Sequence, residues 1–128
     1  MLYFANNGGV LEYDGVSWRL MRMPNNSVVK SLCMDESGKI FVGAQNELGY
    51  LAPDSTGLIS YYSLTEQIPD SNRNFDNVGK TLSTNKGIYF QTDHFLFLWN
   101  GTAMKIWKPE ADFVIFLVNN KLFLHERK

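Results

Sequence analysis

Apolar residues along this chain fall in short runs, broken by clusters of Gly, Asn, Asp and Pro, with no sustained helical period. Four runs match in type: Leu2-Tyr3-Phe4, Ile40-Phe41-Val42, Ile88-Tyr89-Phe90 and Leu122-Phe123-Leu124, their first residues 38, 48 and 34 positions apart. The last three follow turn signals, Asp35–Lys39, Thr84–Gly87 and Asn119–Lys121, and each turn follows an apolar stretch: Val28–Met34, Val78–Leu82 and Phe113–Val118. The match continues downstream. Gly9–Gly15 aligns without gaps on Phe95–Gly101, and Trp18–Met21 on Met104–Trp107, with Leu48–Asp54 and Leu58–Tyr62 as the middle copy.

Each copy holds four short strands, a to d, which in the middle copy are Val28–Met34, Lys39–Ala44, Gly49–Ala52 and Leu58–Ser63. Asp14-Gly15 and Asn100-Gly101 suit tight hairpins, since both residue types tolerate positive φ. Segment 63–68 makes at most one helical turn. Four strands in each copy of about 40–48 residues is the signature of a propeller blade. The fold predicted is therefore all-β: a partial β-propeller of four-stranded antiparallel blades, about three of them, in an incomplete ring. One unit spans residues 1–128. It divides into a b-c-d blade at 2–27, whole blades at 28–76 and 77–111, and an a-b piece at 112–128, thirteen strands in all. Tyr3, Phe41, Tyr89 and Phe123 share one repeat position, where aromatics serve packing between blades.

Composition narrows the function. The chain has 128 residues, 45% of them hydrophobic and 20% charged, and its net charge of −1 gives no basic excess to hold phosphates. No nucleic-acid partner is expected. The single cysteine, Cys33, excludes an internal disulfide and a Cys-based zinc site, and its apolar surroundings predict an inert buried thiol. No run approaches the ~20 apolar residues that cross a bilayer, so no direct membrane contact is expected. The start reads as a strand rather than a signal peptide. A ring needs four to eight blades, which predicts a piece of a longer protein or a chain that self-associates through open blade faces.

The pieces Tyr3–Trp18, Ile40–Leu51 and Thr84–Thr92 resemble two-component-regulator propeller repeats. Such repeats form the sensory region of hybrid two-component sensor kinases and of triple-tyrosine helix-turn-helix regulators in gut Bacteroidetes. The shared pattern is an inner strand, an Asp/Asn-Gly turn, an aromatic strand ending in a small residue, then Gly-Leu-x-x-Tyr/Phe-Asp. The resemblance covers essentially the whole chain. It implies a periplasmic or extracellular sensor of glycan-derived signals, set before a β-sandwich, a membrane span and cytoplasmic output domains.

In a propeller the b-to-c and d-to-a connections gather around the central axis. Here they supply Asn7, Gln45, Asn46, Glu47, Arg73, Asp93 and His94 as candidate ligand-binding residues, amide, carboxylate and cationic groups suited to an oligosaccharide. The same residue types also populate loops for turn geometry alone. His94 beside Asp93 hints at a metal or acid–base pair, but neighbouring strand-end residues point apart; His125 is incidental. Glu47 and Asp93 occupy comparable loops, the arrangement two hydrolytic carboxylates would need. No nucleophile elbow, phosphate loop or metal-ligand cluster accompanies them. The expectation is a non-enzymatic sensing segment without cofactor or metal. A protein-interaction scaffold is the alternative, and a remnant of a carbohydrate-active enzyme the weaker one.

Overall fold

Turn chemistry sets the strand pairing. The computed structural model describes residues 1–108, apart from the side chain of Asn25, and the backbone of 113–118 and 121–126. β1 (Leu2–Asn6), β2 (Gly9–Tyr13) and β3 (Trp18–Arg22) form the first sheet. β4 (Val29–Met34), β5 (Ile40–Ala44), β6 (Glu47–Pro53) and β7 (Ile59–Ser63) form the second. β8 (Lys80–Thr84), β9 (Gly87–Gln91), β10 (Leu96–Trp99) and β11 (Met104–Trp107) form the third, and β12 (Phe113–Val118) pairs with β13 (Lys121–Glu126). Within each sheet every strand pairs antiparallel with its neighbour in sequence. The fold is all-β, a partial propeller of four-stranded blades. Three single turns of 3-10 helix lie in the links, at Pro24–Asn26, Thr65–Gln67 and Asp70–Asn72.

One device closes the c-to-d hairpin in each of the first three sheets. A carboxylate or amide oxygen accepts backbone N–H groups two and three or four residues on: Asp14 from Val16 and Ser17, Asp54 from Thr56 and Leu58, Asn100 from Thr102 and Ala103. Asp35 does the same in the β4–β5 turn, accepting from Ser37 and Lys39. At Asp14 these hydrogen bonds, and at Asp54 the Thr56 hydroxyl followed by the backbone N–H groups, hold the carboxyl below its usual range. At Asp35 burial acts in the opposite sense, but the Ser37 and Lys39 hydrogen bonds outweigh it and the net shift is also downward. Gly15 at φ 98° and Gly101 at φ 101° take the left-handed step that these turns require.

Alternation then sorts the faces. In the second sheet Phe41, Leu48 and Tyr50 point toward the third, packing on Ile88, Phe90 and Phe97. Ile40, Val42, Leu51 and Tyr61 point toward the first, packing on Tyr3, Val10 and Met21. Tyr89 joins Leu82, Leu96 and Leu98 on the far face of the third sheet. Tyr3, Phe41 and Tyr89 thus all face the following side, as one repeat position should. The side chains of Phe123 and His125, and residues 109–112, lie outside the described residues.

Inner strands lie side by side, β1 near β4 and β4 near β8, while β3 meets β7 at the outer edge. Polar pins join the sheets. The Ser31 hydroxyl donates to the Val78 carbonyl at 2.8 Å and lies 2.7 Å from Thr81 Oγ1. Gly43 makes this approach possible, because a Cβ there would meet Val78, Ser31 and Thr81 at 2.5–2.6 Å. Arg19 donates from Nε to Glu12 within its own sheet at 3.1 Å, and from its terminal nitrogen to the Ile59 carbonyl of the next at 2.6 Å.

Two strands start two residues away from the sequence pattern, while other starts shift by at most one. β6 begins at Glu47 rather than Gly49, since Asn46 at φ 53° closes a two-residue turn. Val78 precedes β8 instead of opening it: its N–H donates to Ala44 and its carbonyl accepts from Ser31, both in the neighbouring sheet.

Candidate functional site

Of the seven candidate residues, three are committed to building the fold. Asn46 donates its N–H to the Asp76 carbonyl at 2.9 Å, and its side-chain oxygen accepts the Asp76 N–H in return, tying the β5–β6 turn to the link that leads into β8. Glu47 is not a loop residue. It is a buried strand residue whose Oε1 accepts from the hydroxyls of Tyr61 and Ser63. Arg73 lies within the 64–79 link; its Nε donates to the carbonyls of Thr65 at 3.0 Å and Ile68 at 2.8 Å, and it pairs with Asp70. That shared N–H ties the link back on itself, and Ile68 and Phe75 within it are buried.

The other four stand in b-to-c turns. Asn7 is exposed between β1 and β2, where Asn6 accepts the Gly8 N–H. Gln45 is exposed, with its backbone bridged to Asn77. Asp93 and His94 are exposed beside Thr92, whose hydroxyl oxygen accepts the N–H groups of His94 and Phe95. These turns are exposed hairpin tips, and none of the seven candidates lines a described cavity.

The largest described concavity lies at the other end of the sheets. A groove of about 560 Å³ runs between the second and third sheets, bounded by the β4–β5, β8–β9 and β10–β11 turns. Phe41 and Ile88 line it, with Tyr50 and Trp99 as its wider aromatic surfaces. Lys39 and Lys86 bring ammonium groups, and Asn100 and Asp35 border it with oxygens already engaged in their turns. Lys39 Nζ sits 3.8 Å from the centre of the Tyr50 ring, and Tyr50 stacks on Tyr62 with centroids 5.7 Å apart. Apolar ring area beside fixed charges and amides is the usual make-up of a small-ligand site.

Sequence reasoning missed these residues because it looked to the axial loops. A signal was present: each a-to-b turn carries a lysine, Lys39, Lys86 and Lys121. Cys33 packs at the edge of the same core, where burial, with Asp35 adding to it, pushes its thiol up to about 12. Among the described residues no three His, Cys, Asp or Glu side chains are placed to hold a metal ion. Comparison of the chain with family models, curated proteins and solved structures finds no match.

Proposed function

We propose that this chain is a ligand-sensing propeller segment of a bacterial two-component or transcriptional regulatory protein, working on the periplasmic or extracellular side and taking a glycan-derived signal without turning it over. The observation that carries this reading is the groove between the two four-stranded blades. Sugar rings have apolar faces that stack on rings such as Trp99, and hydroxyls that seek donors such as the Lys86 ammonium group. A ligand there would touch both sheets at once, so occupancy would bias how one blade sits on the next. Hydrolysis draws no support from Glu47, whose carboxylate faces Tyr61 and Ser63.

The test is calorimetric titration with a panel of neutral and uronate-containing oligosaccharides, on the wild type and on Trp99→Ala and Lys86→Ala. At least one oligosaccharide should bind, remain intact by chromatography, and lose tenfold or more in affinity in both variants. If no member binds, or if the variants bind as the wild type does, the groove reading is wrong. The scaffold reading has its own support, the uncovered apolar face of the first sheet.

A further inference from the structure

The c-to-d hairpins of the first three sheets are closed by one device, but only the third is closed by an amide. Asp14 and Asp54 hold their turns with a carboxylate. Asn100 holds its turn with the side-chain oxygen, which accepts the N–H groups of Thr102 and Ala103 and the Thr102 hydroxyl, each at 2.9 Å. Three donors on one atom fix it as the oxygen, because an amide nitrogen accepts none. The nitrogen is left over. It makes no hydrogen bond among the described residues, and Asn100 is exposed where it borders the groove between the second and third sheets.

The rest of that wall is short of acids. The third sheet lines the groove with residues 83–88 and 99–101, a set that holds the Lys86 ammonium and no carboxylate. Thr84 is spent on its own turn, donating to the Gly87 carbonyl and accepting the Lys86 N–H. The acids stand on the opposite wall, where Asp35 is engaged with Ser37 and Lys39, and Glu36 is exposed beside it. An unspent amide nitrogen, an ammonium and the Trp99 ring on one wall suit a sugar that presents both an apolar face and an acid. An aspartate at position 100 would close the hairpin equally well, while removing the donor and repelling an acidic ligand.

We infer that Asn100 is a specificity-determining residue of the groove, its amide nitrogen donating, beside the Lys86 ammonium, to the carboxylate of a uronate-containing oligosaccharide. This role rests on the groove being the ligand site, and it narrows the ligand from glycans at large to acidic ones. Folding and recognition divide between the two ends of one amide: the oxygen closes the hairpin, and the nitrogen reads the ligand.

Asn100→Asp separates the two ends. Galacturonate, glucuronate and mannuronate oligosaccharides, each beside its carboxyl-reduced counterpart, are titrated calorimetrically into the wild type, Asn100→Asp and Lys86→Gln. The wild type should bind at least one uronate oligosaccharide about tenfold or more tightly than its reduced counterpart, and both substitutions should cut that ratio by about tenfold. The Tm of Asn100→Asp should stay within a few degrees of the wild type. Asn100→Ser, which keeps an accepting oxygen and lacks the amide nitrogen, gives the same reading should Asn100→Asp not fold. A wild type that binds both forms alike, or a folded position-100 variant that keeps the preference, overturns the role of Asn100 and leaves the groove as the glycan site. If no oligosaccharide of either kind binds, both fall.

Discussion

The Tyr61 hydroxyl donates to Glu47 Oε1 at 2.7 Å, across a glycine that leaves room for the ring. A Cβ on Gly49 would lie 2.6 Å from the Tyr61 hydroxyl oxygen and 2.8 Å from its ring carbon. Three residues of two strands thus make one structural unit: a buried carboxylate, its donor, and the gap that lets the donor reach it. Tyr61→Phe removes one of the two donors and leaves the buried acid with the Ser63 hydroxyl alone, at a cost of about 1–3 kcal/mol in denaturant unfolding. Glu47→Gln keeps the shape and an acceptor oxygen and should cost less.

The same contact gives a pH dependence at the alkaline end. Burial, then the Glu47 carboxylate, raises the Tyr61 phenol well above its usual value, and burial raises Tyr3 and Tyr89 as well. A group whose folded pKa lies above its unfolded value stabilises fully below the unfolded pKa, about 10 for tyrosine, and loses that contribution as pH rises beyond it. Thermal unfolding from pH 8 to 11 should therefore show stability falling above about pH 10. The Tyr61→Phe curve should be flatter there.

Acid acts through the turns. Asp14, Asp35 and Asp54 have folded pKa values below their unfolded ones, so their contribution is present above about pH 4 and fades as pH drops through the folded values. Asn100 closes the equivalent hairpin of the third sheet with an amide oxygen, which does not titrate. Asp54→Asn should accordingly keep its neutral-pH Tm within a few degrees and flatten the acid limb between pH 5 and 2. A variant that loses the hairpin at neutral pH would show that the charge, not the acceptor geometry, closes it.

Packing between the sheets sets the largest single-site effects. Phe97 is fully buried, stacked on Phe95 at 5.5 Å and edge-on to Phe75 at 5.1 Å. Phe97→Ala should cost about 3–5 kcal/mol by chemical denaturation. Gly43→Val drives methyls into Ser31, Val78 and Thr81 and should cost about 1–3 kcal/mol, with the loss of amide protection centred on β4 and β8.

Arg73 gives a sharper distinction. Its Nε–H is shared between two carbonyls while a terminal nitrogen pairs with Asp70, a geometry that a lysine ammonium does not reproduce. Both Arg73→Ala and Arg73→Lys should speed hydrogen exchange across residues 64–76, while exchange in β5 and β9 stays slow. An Arg73→Lys chain that exchanges like the wild type would reduce the role of Arg73 to charge alone.

How much of this was legible in advance depends on the range of the interaction. Strand identity and pairing were readable because each hairpin is local: an apolar run, an Asp or Asn that folds back on the next N–H groups, and an antiparallel partner within a few residues. The inward face of Tyr3, Phe41 and Tyr89 was readable for the same reason, since period-two alternation carries a repeat position to the same side each time. The opening of β8 was not, because Val78 is held by Ala44 and Ser31, more than thirty residues away in sequence.

The candidate site divides along that line. Asn46, Glu47 and Arg73 looked like loop polars; Asn46 finds Asp76 thirty residues on, Glu47 finds Tyr61 across its own sheet, and Arg73 finds the carbonyls of residues 65–68 only when its link folds back on itself. The groove is wholly tertiary: its residues come from five strands and three turns, and nothing local in Lys39 or Trp99 marks them as neighbours. By itself the sequence determined the blades, since turn chemistry and alternation act within a hairpin. Which polar groups are consumed and which surfaces stay open was decided by how one sheet lies on the next, because burial and hydrogen-bond partners between sheets exist only once they pack.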